Sequence, residues 1–262
     1  MTVKSSRTVF EVLRLLAHEK KPLDAAHVAK TLGIPMTSTL RVLGTLEAAG
    51  FAERDRAGGR YRIGKAASTL SLAFMSQFAV RDLALPYLQR MTLETGQTSS
   101  LFVRLGWNAL RVAAVLGHRT LMHSTPVGET RPLWGGAHGR AILANLTDAD
   151  RAEISGQLDS ELGADEQAEL AGLARSRLVR GECYFEAGVD DCGWPIFNGD
   201  GLVIASVGFE AVPGPILDRI LAADSVVHKI IAEISATAAR ELAGAISHYD
   251  HIPAAEIAFV DE

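Results

Sequence analysis

Cysteine and long apolar runs are scarce in this chain. It has 262 residues and two cysteines, Cys183 and Cys192, too few for a disulfide framework. No apolar run reaches the roughly 20 residues that span a bilayer, because a charged residue or a glycine interrupts each candidate. The N-terminus also lacks the apolar core of a signal peptide. We therefore expect a cytoplasmic protein with no membrane partner, long enough for two domains.

Spacings typical of catalytic and metal sites are missing as well. Cys192 could form a thiolate nucleophile with His138 and Asp190 or Asp191, but a neighbouring carboxylate disfavours the thiolate. The sequence contains no CxxC, no HxxxH and no nucleophile elbow. The candidate metal ligands are scattered: His118, His123, His138 and Cys183. We predict that the chain is not an enzyme and has no catalytic residue, bound metal or cofactor.

Charge is divided unevenly along the chain. The net charge is −5, yet residues 1–66 contain twelve Lys or Arg and six Asp or Glu, a net +6, which leaves −11 for the remainder. A basic module joined to an acidic one favours a polyanion as the partner of the N-terminal end. Chance clustering of solvated charges is the alternative, and the order of motifs has to decide between them.

Three helical patterns fill the basic end. Ser6 or Thr8 can cap the first helix, Asp24 can cap the second, which stops at Gly33, and Pro35 can begin a third that runs to about Gly50. The apolar residues expected to face inward are Val9, Phe10, Leu13 and Leu16, then Ala25, Val28, Ala29 and Leu32, then Leu40, Leu43 and Leu46. Short helices joined by a tight turn at this spacing are typical of a helix-turn-helix.

The start of the third helix carries short hydroxyl side chains and an arginine. Hydroxyls there can bond phosphates or bases in a major groove, and Arg41 can form a fork onto guanine. The stretch FAERDRAGGRYRIG (51–64) alternates as a hairpin typical of a wing, whose arginines can follow the phosphate backbone. The predicted DNA-binding residues are Arg7, Thr37, Ser38, Thr39, Arg41, Arg54, Arg56, Arg60 and Arg62. We predict binding to double-stranded DNA; the alternative is a winged helix used for protein interaction or oligomerisation.

The acidic half alternates strands and helices. Strands are predicted over 98–106, 109–117 and 120–124, and helices over 137–146, 148–157, 165–178 and 215–244. Segments 193–198 and 202–211 flank the turn Asn198-Gly199-Asp200-Gly201, where Asn-Gly and Asp-Gly supply the positive φ of a hairpin. The pattern predicts an α+β domain with an antiparallel sheet.

Residues 64–96, between the halves, have a mainly helical pattern. Leu70, Phe74 and Phe78 fall at i, i+4 and i+8, an apolar stripe suited to packing against a second copy of the chain. Packing of the stripe on its own domain is the alternative.

Taken in order, these motifs resemble the IclR family of bacterial transcriptional regulators. The resemblance rests on SSRTVFEVLRLL (5–16), LDAAHVAKTLGIPMTSTLRVLGTLEAAGF (23–51), YRIG (61–64), RDLALPYLQRM (81–91), VGETRPLWGGAHGRAILA (127–144) and GVDDCGWPIF (188–197). It implies a winged helix-turn-helix over 1–66, a linker helix over 67–82, a GAF-like effector-binding domain over 83–246 and a tail at 247–262. It also implies a dimer or tetramer on a palindromic operator, and repression of a catabolic operon in response to a small organic metabolite.

The resemblance also places a candidate effector site. In relatives a small organic acid binds at the segment equivalent to RPLWGGAHGRAILANL (131–146), where backbone amides at a helix start can hold a carboxylate. Asp191 stands where those relatives have a cysteine, and a carboxylate repels an anion unless it is paired, so we expect an organic acid or aromatic catabolite with a hydroxyl, amine or aromatic part. Close packing of helix on sheet is the other use of the glycines. The implied site residues are Gly136, Ala137, His138, Asp191, Cys192, Ser206 and Gly208, with Trp134 and Trp194 as walls.

Overall fold

The chain forms two compact units. The structure is a computed structural model that describes residues 4–19, 21–55, 58–118, 126–157, 163–184, 187–222 and 224–244. Unit 1 comprises Met1–Gln77 and unit 2 comprises Phe78–Glu262. No helix in these described ranges is both long and apolar enough to cross a membrane. The predicted strand at 120–124 and the predicted tail at 247–262 lie outside the described residues.

Unit 1 is a winged helix. Its elements are α1 Lys4–His18, α2 Ala25–Leu32, α3 Met36–Ala48, β1 Ala52–Arg54, β2 Tyr61–Ile63 and α4 Ala66–Met75. The Asp24 carboxylate accepts a hydrogen bond from the backbone N–H of His27 at 2.7 Å, which caps α2 as predicted. Gly33 ends α2 with φ +62°, a left-handed conformation that favours glycine. The predicted helix-turn-helix and hairpin are confirmed.

The buried face of α3 differs from the predicted one. Thr39, Val42, Leu43 and Leu46 are buried, whereas Leu40 is 48% exposed. Residues at i, i+3, i+4 and i+7 share one face of a helix, so a face centred on Leu43 and Thr39 turns Leu40 outward. The prediction was also wrong for Phe10, which is 65% exposed because Val12 and Leu16 form the inward face of α1.

The segment predicted as one linker helix is two helices. α4 ends at Met75, and α5 begins at Ala79 with Phe78 as its N-cap residue. Ser76 and Gln77 both donate side-chain hydrogen bonds to the carbonyl oxygen of Ala73, which ends α4 without proline or glycine. The stripe from Leu70 to Phe78 is therefore broken: Leu70 is exposed on α4, while Phe78 is buried.

Unit 2 is built on a six-stranded antiparallel sheet. Its elements are α5 Ala79–Thr95, β3 Thr98–Leu105, β4 Asn108–Val115, β5 Thr130–Pro132, α6 Gly136–Leu143, α7 Asp148–Gln157, α8 Ala164–Ser176, β6 Val179–Glu182, β7 Asp190–Phe197, β8 Val203–Ala211, α9 Pro215–Leu221 and α10 Val226–Glu241. The strand order is β5-β4-β3-β8-β7-β6. The predicted α+β class and antiparallel sheet are confirmed. The helix predicted over 215–244 is instead two helices, because α10 starts afresh after its N-cap residue Ser225.

Helices cover both faces of this sheet. On one face the α5 residue Tyr87 and the α10 residue Thr237 share a hydrogen bond of 2.9 Å between their hydroxyls. On the same face Trp194 of β7 meets His228 of α10 edge to face, with ring centroids 5.7 Å apart. On the other face α6 lies directly against β7 and β8, since a Cβ added at Gly193 would lie 3.0 Å from the Cα of His138. We call this second face the α6 face.

Candidate functional site

The outward surface of α3 is polar at its N-terminal end. Thr37 and Arg41 are exposed and Ser38 is half-buried, as expected of a recognition helix. Thr39 does not belong to this surface. Its side chain is buried, and its hydroxyl donates to the carbonyl oxygen of Pro35 at 3.2 Å, so the structure does not present it to DNA as the sequence predicted. The exposed side of the same turn is occupied by Leu40.

The wing carries exposed arginines, some of which contact neighbouring side chains. Arg60 is exposed, and Arg62 forms an ion pair of 3.1 Å with Glu53 across the hairpin. The Arg54 guanidinium lies 5.5 Å from the centroid of the Tyr61 ring. Arg56 lies outside the described residues. On α1, Arg7 is exposed and forms an ion pair with Glu11 at 2.8 Å. The described wing therefore presents cationic side chains to solvent.

A second candidate site lies between the sheet and α6 in unit 2. Strand pairing places Ser100 opposite Gly208, Phe102 opposite Arg111 and Ala109 opposite Arg131. Side chains on a strand alternate between faces, and directly opposed residues share a face. The buried side chains that this register gathers on the α6 face are Ser100, Phe102, Arg111, Arg131, Asp191, Ser206 and Glu210.

Arg131 and Asp191 form the centre of this cluster. Both side chains are fully buried, and Arg131 Nη1 lies 3.0 Å from Asp191 Oδ2. The same oxygen accepts a hydrogen bond of 2.8 Å from the backbone N–H of Ala137. The pair is close but poorly aligned, because none of the three Arg131 nitrogens has a hydrogen-bond partner within the described residues. The guanidinium stacks 4.1 Å from the centroid of Phe102.

His138 is held neutral within the same cluster. Burial lowers the pKa of His138 to about 3; the charge of Asp191 acts in the opposite direction, and the positive charges of Arg131 and Arg111 act in the same direction as burial. Its Nδ1 lies 3.0 Å from the Ser206 hydroxyl, and its Nε2 lies 3.5 Å from Asp191 Oδ1. An uncharged imidazole at this place offers one donor and one acceptor rather than a second positive charge.

Arg111 adds a second buried guanidinium. It donates to the Ser100 hydroxyl through Nη2, and the same nitrogen lies 4.0 Å from Glu210 Oε2. Burial lowers the pKa of Arg111, because a charged group loses its hydration there. Two arginines and two carboxylates therefore share one enclosed polar layer. Such a layer is suited to bind a small polar molecule through charge-assisted hydrogen bonds.

The structure brings together part of the predicted effector site. Gly136, Ala137, His138, Asp191 and Ser206 lie at the cluster, and a Cβ at Gly136 would lie 2.6 Å from Asp191 Oδ2. Gly208 has a packing role, since a Cβ there would overlap the carbonyl oxygen of Cys192.

Three other predicted positions do not reach the cluster. The structure places Cys192 and Trp194 on the opposite face of β7, where Trp194 packs on Phe209 and α10. Burial and the neighbouring Asp191 raise the pKa of the Cys192 thiol, which disfavours a nucleophile. Trp134 is 47% exposed rather than forming a wall of a buried site.

Sequence reasoning missed the arginines. Arg111 interrupts the apolar run ALRVAAV and Glu210 interrupts VGFEA, and a charged residue inside an apolar strand was the available signal. Arg131 gave no such signal, because its three-residue strand β5 has no apolar alternation. Their convergence depends on strand pairing between distant segments, which the sequence pattern does not specify.

A winged helix with an exposed cationic surface, followed by a separate α+β unit with a buried polar layer, defines a two-domain DNA-binding transcriptional regulator. The chain belongs to the IclR family. The IclR helix-turn-helix domain matches residues 9–56, and the C-terminal domain of the bacterial transcriptional regulator IclR matches residues 72–238. The predicted resemblance is confirmed, and the chain is a regulator and not an enzyme.

Known relatives agree with this assignment. The glycerol operon regulatory protein of Streptomyces griseus is 27% identical over 252 residues, which cover 94% of this chain and 95% of that protein. The transcriptional repressor AllR of Escherichia coli K12 is 24% identical over 143 residues, 55% of this chain and 53% of the repressor. A crystal structure of an IclR homolog from Microbacterium hydrocarbonoxydans, complexed with 4-hydroxybenzoate, matches with a TM-score of 0.72 at 20% identity, covering 90% of this chain and 99% of that one. At that identity the structural match shows the fold.

Proposed function

We propose that this regulator is a ligand-responsive repressor of a catabolic operon. It binds a palindromic operator as a dimer, with tetramers formed through unit 2, and senses a small organic acid or aromatic catabolite in the cytoplasm. The observation that carries the ligand-sensing part is Arg131, a fully buried guanidinium whose nitrogens lack hydrogen-bond partners within the described residues. Buried polar groups are nearly always satisfied, so a guanidinium in this state indicates an incomplete site.

DNA recognition in this proposal uses two kinds of contact. The exposed N-terminal end of α3 enters the major groove, where Thr37, Ser38 and Arg41 reach base edges or phosphates. The wing arginines contact the backbone, which orients the protein and makes affinity depend on salt. Arg62 already pairs with Glu53, so Arg60 is the better candidate for a phosphate contact.

The effector in this proposal binds on the α6 face. A carboxylate matches the planar fork of an arginine, and an aromatic ring can extend the stack that Arg131 forms on Phe102. The ligand in the crystal structure of the IclR homolog from Microbacterium hydrocarbonoxydans, 4-hydroxybenzoate, has both a carboxylate and an aromatic ring. Asp191 is not expected to repel an acidic effector, because Arg131 compensates the charge of its carboxylate. An effector changes operator affinity only if it binds the competent and incompetent arrangements unequally.

The dimer in this proposal uses α4. None of its ten residues is buried against the described part of the chain, and Leu70 and Leu72 are 58% and 71% exposed. An apolar helix face that remains open in one chain is suited to pack against its counterpart in a second copy. Replacing Leu72 by Glu is expected to shift the protein to a smaller species in sedimentation velocity. Replacing Leu93, which is exposed on α5 in unit 2, is the matched control and leaves the dimer intact.

The effector proposal is tested by operator affinity in the presence of small acids. Fluorescence anisotropy with DNA from upstream of the gene is measured with 4-hydroxybenzoate and related aromatic and aliphatic acids. We expect at least one acid to change the affinity of the wild-type protein, and Arg131→Met to abolish that change while DNA binding persists. Arg140→Met is the control, because Arg140 pairs with Glu169 at the surface of unit 2. A full response by the Arg131 variant contradicts the assignment.

A further inference from the structure

The N-terminus of α6 is capped by a carboxylate from a distant strand. The N-cap residue of α6 is Gly135, which has no side chain to bond the first free N–H groups. Asp191 on β7 takes this role, since its Oδ2 accepts the N–H of Ala137 at 2.8 Å. The helix dipole favours an anion at this position. A site that could hold a free carboxylate is therefore occupied by a side chain of the protein.

Two more groups face the same carboxylate. Arg131 Nη1 lies 3.0 Å from Oδ2, and His138 Nε2 lies 3.5 Å from Oδ1. All three side chains are fully buried, and His138 Nε2 and the Arg131 nitrogens lack hydrogen bonds within the described residues. The Arg131 donors and the imidazole are thus arranged around a carboxylate that only partly satisfies them. Gly136 leaves no spare room, because a Cβ there would lie 2.6 Å from Oδ2.

We propose that Asp191 is an internal ligand of its own effector domain. Its carboxylate occupies a carboxylate-binding subsite formed by the Ala137 N–H, Arg131 and His138, and a small carboxylic acid enters this subsite only by displacing the Asp191 side chain. The regulatory consequence rests on the proposed function: an acidic effector competes with Asp191, so that the affinity of the effector is set by the strength of this internal contact. An acid that displaces Asp191 replaces its charge beside Arg131 and so keeps that guanidinium compensated.

The subsite is tested by removing the internal carboxylate and supplying a free one. Asp191→Ala leaves the Arg131 charge uncompensated, and we expect Tm to fall by about 10 °C. Sodium formate at about 100 mM, compared with sodium chloride at the same ionic strength, is expected to restore about 5 °C of this loss if it binds with millimolar affinity. Wild-type protein is expected to show no such gain, because the subsite is already filled.

Two variants serve as controls. Asp191→Asn keeps the volume of the side chain, so formate finds no space and is expected to have no effect. Asp190→Ala removes the neighbouring carboxylate, which pairs with Arg180 at 2.6 Å, and any loss of Tm there is not restored by formate. If Asp191→Ala does not fold, Asp191→Ser provides the same comparison with a smaller polar side chain.

Each outcome bears on the proposal. Restoration by formate in the Ala or Ser variant alone supports it. Equal stabilisation of every variant by formate, or no stabilisation of either cavity variant, overturns it. The result is independent of operator binding. If the wild-type protein responds to acids but Asp191→Ala gains no stability from formate, the proposed function stands and the role of Asp191 as an internal ligand is wrong. If formate stabilises Asp191→Ala but no acid changes the operator affinity of the wild-type protein, the internal ligand stands and the proposed effector response is wrong.

Discussion

Arg131 Nη1 lies 3.0 Å from Asp191 Oδ2, and neither side chain has any exposed surface. The pair joins the edge strand β5 to β7, which lies near the opposite edge of the same sheet. Removing one partner leaves a buried charge uncompensated, at a cost of about 3–5 kcal/mol. We therefore regard this ion pair as the centre of the effector domain.

A double-mutant cycle on this pair is expected to show strong coupling. Arg131→Met and Asp191→Asn each lower the free energy of unfolding by about 3 kcal/mol, and the double variant loses at least about 1 kcal/mol less than their sum. Urea denaturation monitored in unit 2 measures the four proteins. The partly exposed surface pair Arg140 and Glu169 provides a control cycle, for which coupling stays within about 1 kcal/mol. Additive losses at Arg131 and Asp191 contradict the assignment of the pair.

Gly136 is expected to be less replaceable than another glycine of the same backbone conformation. Gly136 and Gly128 both have positive φ, +76° and +97°, but among the described residues a Cβ at Gly128 meets nothing within 4 Å. Gly128→Ala therefore costs only backbone strain, about 1–2 kcal/mol. Gly136→Ala adds a clash with the Asp191 carboxylate and is expected to cost at least about 1 kcal/mol more in chemical denaturation. Equal costs show that the close approach at Gly136 is absent in solution.

The low pKa of His138 makes the stability of unit 2 depend on pH. The folded-state pKa of about 3 lies below the roughly 6.5 of an unfolded histidine, so the unfolded chain binds the additional proton. The contribution of His138 to the free energy of unfolding is fully present above about pH 6.5. It decreases as the pH falls toward 3, by about 1.4 kcal/mol per pH unit. His138→Gln is expected to remove this slope between pH 6 and 5. The exposed His27→Gln on α2 is the control, and an unchanged slope in the His138 variant contradicts the buried neutral imidazole.

Two threonines two residues apart on α3 are expected to respond differently to the same substitution. Thr37 is exposed, whereas Thr39 is buried and bonds the carbonyl oxygen of Pro35. Thr37→Val removes a hydroxyl from the DNA-facing surface and is expected to weaken operator binding about three- to tenfold, the value of one hydrogen bond. Thr39→Val is expected to leave operator affinity unchanged in the same anisotropy assay. If Thr39→Val alone loses operator affinity, the face of α3 that meets DNA is not the one assigned here.

The winged helix could be predicted from the sequence because its signals are local. Asp24 and Gly33 mark the ends of α2 through interactions within a few residues, and the structure places them as expected. The rotation of α3 is not fixed by local signals, since a run of Thr, Ser and Leu fits two neighbouring phases of the helix. Burial of Thr39 in place of Leu40 follows from packing against α1 and α2, which lies beyond local periodicity.

The polar layer of unit 2 could be predicted only in part. The segment around Ala137 and His138 was identified from its glycines and its place at a helix start. Cys192 and Trp194 were misplaced because adjacent residues on a strand point to opposite faces, so a one-residue error in register exchanges core and site. Arg131 reaches the site through pairing of β5 with β4, a contact that no local pattern encodes.

The central claim is that this chain binds a specific operator through unit 1, and fluorescence anisotropy against DNA from upstream of its gene tests it most directly. With scrambled competitor and several salt concentrations, we expect specific binding whose affinity falls steeply with salt. Arg41→Ala is expected to lose about 1–3 kcal/mol of specific affinity, and Arg60→Ala to reduce the salt slope by about one. Equal affinity for scrambled DNA, together with failure to select any genomic fragment with or without candidate acids, contradicts the account.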